Sequence, residues 1–168
     1  MTATDFEGLL RRLVEGGVEF ILVGGVAAVV HGSARATFDL DVVYSRNPDN
    51  LGRVAEALAG IQPYLRGAPP GLPFSFDIAT LQRGLNFTLT TRMGDLDLLG
   101  DIVGGGSYED LLPFTEIITI FGFTCRCIGL TKLIAVKRAA GRPKDNEILA
   151  ELQALREERD RLDGRSDA

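Results

Sequence analysis

Residues 22–44, LVGGVAAVVHGSARATFDLDVVY, constrain the fold more than any other stretch of the chain. Leu22 and Val23 close an apolar run, and Gly24-Gly25 breaks it. Val26 to Val30 are small and apolar, enough for about two helical turns. Asp39-Leu40-Asp41 then opens a second β-branched run, Val42-Val43-Tyr44. Side chains alternate along a strand, so Asp39 and Asp41 share one face and Leu40 takes the other. Two carboxylates that close repel each other, and a cation between them relieves the repulsion. A glycine turn at a helix N-terminus presents bare N–H groups and a positive dipole end, which suits phosphate. A cation-binding pair beside a phosphate cradle points to nucleotide chemistry.

The rest of the composition sets limits on that reading. A chain of 168 residues is expected to form one domain, 1–168, with room for a sizeable core. The net charge of -5 and the pI of about 4.9 argue against a protein that coats itself with nucleic acid or binds an anionic membrane. The apolar runs fall far short of the roughly 18 residues that span a bilayer, so no membrane segment is expected. The N-terminus, MTATDFEGLL, lacks a basic stretch followed by an apolar one, the pattern of a secretory leader. Cys125 and Cys127, two residues apart on an expected strand, offer no disulfide framework. A cytoplasmic protein with reduced structural cysteines is the expectation.

Along the chain, 4–15 reads as a helix capped by Thr4 or Asp5, with Phe6, Leu9, Leu10, Leu13 and Val14 on one stripe. Residues 18–23 read as a buried strand before the glycine turn. After Tyr44 a turn leads to a helix capped by Asp49 or Asn50 and running to about Leu58. Residues 61–73, with four prolines, read as a loop and as the most mobile segment; 74–78 reads as a short strand or extended piece. Residues 85–91 and 95–102 read as a hairpin with Leu85, Phe87 and Leu89 on one face. Gly104 to Gly106 reads as a flexible loop, Ser107 as a cap, and 115–121 with 123–128 as a further hairpin. Leu130–Ala140 and 144–162 read as helices, with a charged tail over 156–168 that is expected to fray. This order predicts an α/β or α+β domain, a mixed β-sheet flanked by helices.

Asp95 and Asp97 form a second pair on one strand face. Asp97, between Leu96 and Leu98, is costlier to leave unpaired, so it is the candidate third carboxylate, as metal ligand or proton acceptor. Arg35 reads either as a surface charge or as a phosphate contact, with Thr37 beside it. Lys137 lies on a helix whose other face is apolar, and reads as a phosphate-binding point charge or a solvated lysine. Asp145 reads as a first-turn helix acid that pairs with a nearby base. His31 reads as structural, with the mouth of the site as its alternative position.

These residues together resemble a known family. The stretch VGGVAAVVHGSARATFDLDVVY is similar to the core of the nucleotidyltransferase superfamily, the polymerase-β-like fold. Gly24-Gly25, His31-Gly32, Arg35, Thr37, Asp39 and Asp41 resemble the pattern of AbiEii-like small bacterial nucleotidyltransferases, many of which are toxins of toxin–antitoxin pairs. Residues 84–105 resemble the strand with the family's third carboxylate, and 130–145 its lysine-bearing helix. The wider superfamily often has Gly-Ser where this chain has Gly24-Gly25.

The resemblance implies a mixed-sheet fold and a two-metal Mg²⁺ site. Asp39, Asp41 and Asp97 would be metal ligands and catalytic carboxylates. Gly24 and Gly25 would form the phosphate turn, and Lys137 would contact the triphosphate. It implies transfer of a nucleoside monophosphate from an NTP to a hydroxyl of tRNA or of a protein side chain, and, for a toxin, a cognate antitoxin protein as partner. The rival expectations are a non-catalytic nucleotide-binding or interaction module on the same fold, or an antitoxin.

Overall fold

The computed structural model describes residues 3–166. The first helix, α1 (Phe6–Glu15), is capped by Asp5, whose side chain accepts from the Gly8 amide at 2.9 Å. Its buried stripe is Leu9, Leu10 and Leu13. Strand β1 (Phe20–Val23) is buried along its length and begins two residues later than the sequence suggests. Helix α2 (Gly24–Val30) follows without a break, and β2 (Asp39–Tyr44) begins at the first aspartate.

Helix α3 (Pro48–Leu58) is capped by Asn47, not by Asp49 or Asn50. Proline at the first helical position fits, because its missing N–H would have no partner there. Asn50 instead turns inward and is fully buried. Its Oδ1 accepts from Glu19 N at 2.7 Å, and its Nδ2 donates to Glu19 O at 3.1 Å and Ser45 O at 2.8 Å. The amide therefore ties the entry of β1 to the exit of β2 and meets its own bonding needs in doing so.

The proline-rich segment is not a loop throughout. Tyr64–Leu65 forms edge strand β3, paired with Thr90 and Leu89. Residues 74–77 make no strand, and helix α4 (Ile78–Arg83) starts from an Asp77 cap. Strands β4 (Phe87–Thr91) and β5 (Gly94–Leu99) form the expected hairpin, but Leu85 lies outside it and is half exposed. The glycine loop is bounded by two short strands, β6 (Asp101–Ile102) and β7 (Gly106–Ser107), paired antiparallel. Ser107 and Asp110 close a reciprocal capping box on α5 (Tyr108–Leu111). Strands β8 (Thr115–Ile120) and β9 (Phe123–Ile128) form the second hairpin.

Helix α6 (Leu130–Ala140) has the bounds expected and ends at Gly141, whose φ of +64° is the left-handed value glycine tolerates. A short 3₁₀ turn over 143–145 separates it from α7 (Asn146–Ser166). That helix takes in the charged tail as far as Ser166; residues 167 and 168 lie outside the described residues.

The main sheet has seven strands in the order β3-β4-β5-β2-β1-β9-β8. It is mixed: β2 pairs with β5 and β1 with β9 in parallel, and the other pairs are antiparallel. Helix α1 packs on α3 and reaches β2 and β9, while α2 packs on β1, β2 and α6. Leu40, Val42, Leu96, Leu98 and Leu89 are fully buried at the centre of the sheet. Each such side chain contributes roughly 1.5–3 kcal/mol on leaving water. The carboxylates sit on the other side of these same strands, so the core fixes their positions.

Candidate metal and phosphate site

The parallel pairing of β2 with β5 sets Asp39 beside Asp95 and Asp41 beside Asp97. Alternation then puts all four carboxylates on one sheet face, with Leu40 and Leu96 on the other, both fully buried. Carboxylate oxygens of Asp39, Asp41 and Asp97 all lie within 4.8 Å of one another, a grouping that could hold a metal ion. Asp95 stands outside that group, with its side chain 40% exposed against 19% for Asp97. The deeper of the two β5 aspartates is thus the one that joins the β2 pair.

Burial, and then the neighbouring Asp39 and Asp97 carboxylates, push the Asp41 carboxyl up to about 8. Asp97 is also raised, mainly by burial, against the opposing pull of Asp41 and Arg66. Asp41 Oδ1 is buried and has no hydrogen-bond partner among the described residues. A buried oxygen without a donor, beside two further carboxylates, fits a hard divalent cation such as Mg²⁺, which prefers oxygen ligands.

The glycine turn meets these acids directly. Gly24 has a φ of +64°, and a Cβ there would stand 2.1 Å from Asp41 Oδ2. A Cβ on Gly25 would stand 2.5 Å from Thr37 Oγ1. The close approach these glycines permit is thus made by the chain's own Asp41 and Thr37. Thr37 Oγ1 in turn donates to Asp39 O at 3.2 Å, which steadies the start of β2.

A cleft of about 450 Å³ opens over Asp39, Asp41 and Asp97, with Arg35, Lys137, Arg142 and Lys144 on its walls. Three of these basic groups, Arg35, Lys137 and Arg142, are held by acids. Asp145, 5% exposed, receives Arg142 Nε at 2.9 Å and lies 3.8 Å from Lys137 Nζ. Arg35 pairs with Glu147 at 3.0 Å. Asp41, Lys137 and Arg142 also line a second recess of about 370 Å³, whose other walls are largely apolar: Val23, Leu99, Ile102, Val103 and Val136.

Arg66 is a site residue that sequence reasoning missed, as it missed Arg142 and Lys144. It follows β3 in the proline-rich segment, and its Nη2 donates to Asp97 Oδ1 at 2.8 Å. Nothing local marks it. The signal was indirect: four carboxylates on one face demand a cation, and an edge strand carried Arg66 to them. His31 lies elsewhere. It is 6% exposed, with Nε2 2.7 Å from Ile128 O and Nδ1 3.2 Å from Arg159 Nη2. With arginine able only to donate, Nδ1 accepts and Nε2–H donates. His31 is a structural tie between α2, β9 and α7.

No family model matches the sequence, and no curated protein matches it. Among solved structures, the chain is similar to a Thermotoga maritima protein described as a putative nucleotidyltransferase, with a TM-score of 0.55 and 13% identity over 88% of this chain and 89% of that one. The two share a fold, the nucleotidyltransferase-like mixed sheet flanked by helices. No described helix is long and apolar enough to cross a membrane.

Proposed function

We propose that the protein is a Mg²⁺-dependent nucleotidyltransferase that moves a nucleoside monophosphate from an NTP to a hydroxyl acceptor. The observation that carries this reading is the meeting of Asp39, Asp41 and Asp97 within 4.8 Å at the floor of a cleft walled by basic side chains. Asp39 and Asp41 would hold the ion, with Asp97 as third ligand. An ion held there would supply charge neutralisation for the phosphate oxygens and orientation of the attacking group.

The protein's own groups supply the rest. Lys137 and Arg142, aimed by Asp145, take the β- and γ-phosphates, and Arg35 and Lys144 extend the same wall. The recess bounded by Leu99, Ile102 and Val136 suits an uncharged nucleoside or acceptor group. The acceptor oxygen forms a bond to the α-phosphorus as the bond to the bridging oxygen breaks. Pyrophosphate leaves along the basic wall, and the hydroxyl proton passes to solvent in the open cleft. The resemblance extends this reading to an RNA or protein acceptor and to a toxin neutralised by a cognate antitoxin.

The test is incubation of the protein with Mg²⁺, total RNA or cell lysate, and each NTP labelled at the α- or γ-phosphate. Label should pass from the α-position only and vanish in Asp39→Ala. No transfer from any NTP removes the reading. Growth arrest on expression of the active chain, relieved by a neighbouring gene product, tests the toxin role.

A further inference from the structure

Arg66 is held in the carboxylate array by main chain and side chain together. Its amide donates to Thr88 O at 3.0 Å, prolonging the β3–β4 pairing by one residue. Its Nη2 donates to both Leu89 O at 2.7 Å and Asp97 Oδ1 at 2.8 Å. Its Nη1 lies 3.8 Å from Asp39 Oδ2, and its Nε lies 3.4 Å from Asp95 Oδ2 in an ion pair without hydrogen-bond alignment. Asp41 is the one carboxylate of the four that it does not pair with among the described residues.

The array therefore divides in two. An inner group, Asp39, Asp41 and Asp97, offers oxygens close enough to share an ion. An outer group, Asp39, Asp95 and Asp97, already surrounds a guanidinium. Two-metal centres place their ions roughly 3.5–4 Å apart. Without a nucleotide, a second ion here would have to draw on the outer group, whose space and charge Arg66 has taken. Arginine cannot shed its proton to make room.

We infer that the nucleotide-free chain binds one divalent cation, at the inner group, and that Arg66 is a built-in second cation at the outer one. The inference deepens the proposed function and rests on its reading of Asp39, Asp41 and Asp97 as a cation centre. It places one ion and one fixed positive charge on the carboxylates alone, and leaves any further ion to the phosphates of a bound nucleotide. Arg66 is a positioning residue here: it acts by holding Asp95 and Asp97 and by excluding an ion.

The experiment is titration of Mn²⁺ into the full, nucleotide-free chain, with free Mn²⁺ read by electron paramagnetic resonance. One ion per chain is expected for the native protein and for Arg66→Lys, which keeps the charge. Two are expected for Arg66→Met, and one again when Asp95→Asn is added to it. If Arg66→Met lacks a cooperative melting transition, Arg66→Gln, which retains a donor for Leu89 O, is judged by the same count. Two ions in the native protein, or one in the folded charge-free variant, overturns the inference and leaves the cation centre standing. No ion bound by any of them overturns both.

Discussion

Asp41 and Asp97 are register partners on adjacent parallel strands, and their carboxylates meet over a sheet whose reverse side is core. Nothing flexible lies between them, so the acidic centre is as rigid as the sheet. Replacing either one with asparagine keeps the shape and removes the charge. Each of Asp41→Asn and Asp97→Asn should cut transfer by more than about 100-fold, beyond the 10–100-fold typical of partners one shell removed from a metal. Steady-state kinetics with label transfer as readout checks this.

The same crowding predicts how the metal-free protein responds to pH. The Asp41 carboxyl is raised from 3.8 to about 8, so between those values the folded state binds a proton that the unfolded state has released. Stability from this group is full below the lower value and falls as pH rises toward the upper one. Thermal melts without metal should lose midpoint across that window. Mg²⁺ should restore more at pH 8 than at pH 5, and Asp41→Asn should flatten the dependence.

Gly24→Ala should harm the site before it harms the fold. The added methyl meets Asp41 Oδ2 at 2.1 Å, and the φ of +64° disfavours any side chain. Displacement of Asp41 should weaken Mn²⁺ binding at least about tenfold, a cost of about 1.4 kcal/mol. Calorimetric titration of Mn²⁺ against the native protein measures it.

Lys137→Met should leave the metal centre in place and loosen the phosphates. Loss of one hydrogen bond from a charged donor costs about 1.5–3 kcal/mol, so kcat/KM for NTP should fall about 10–100-fold. Asp145→Asn should produce part of the same loss by releasing Lys137 and Arg142, with Mn²⁺ affinity unchanged in both variants.

Far from the cleft, Asn50→Ala strips partners from Glu19 and Ser45. A buried polar group left unsatisfied costs about 1–3 kcal/mol, so denaturant midpoints should drop by at least that equivalent. The sequence offers Asn50, with Asp49, as the helix cap, because asparagine beside a helix start usually is one. Only the closure of β1 on β2 shows that it faces inward.

Much of this fold was legible where the information is local. Alternation marked β2, β4 and β5; the leucine stripe of α1 and the glycine after Ala140 marked the ends of helices. Asp97 could be preferred over Asp95 because its leucine neighbours signal burial. What depends on distant pairing was not legible. The register of β2 on β5 joins segments more than fifty residues apart and decides that Asp39 meets Asp95. Arg66 became part of the site only when β3 joined the sheet edge. The glycine turn shows a third kind of limit. A sequence cannot show what approaches a glycine, and here Asp41 and Thr37 lie close against Gly24 and Gly25.

Anomalous scattering from a crystal of the full chain soaked in Mn²⁺ locates the ion itself. A peak is expected among the carboxylates of Asp39, Asp41 and Asp97, with Arg66 still on Asp97. A crystal in which Mn²⁺ is absent from that group, or bound only elsewhere, would contradict this placement.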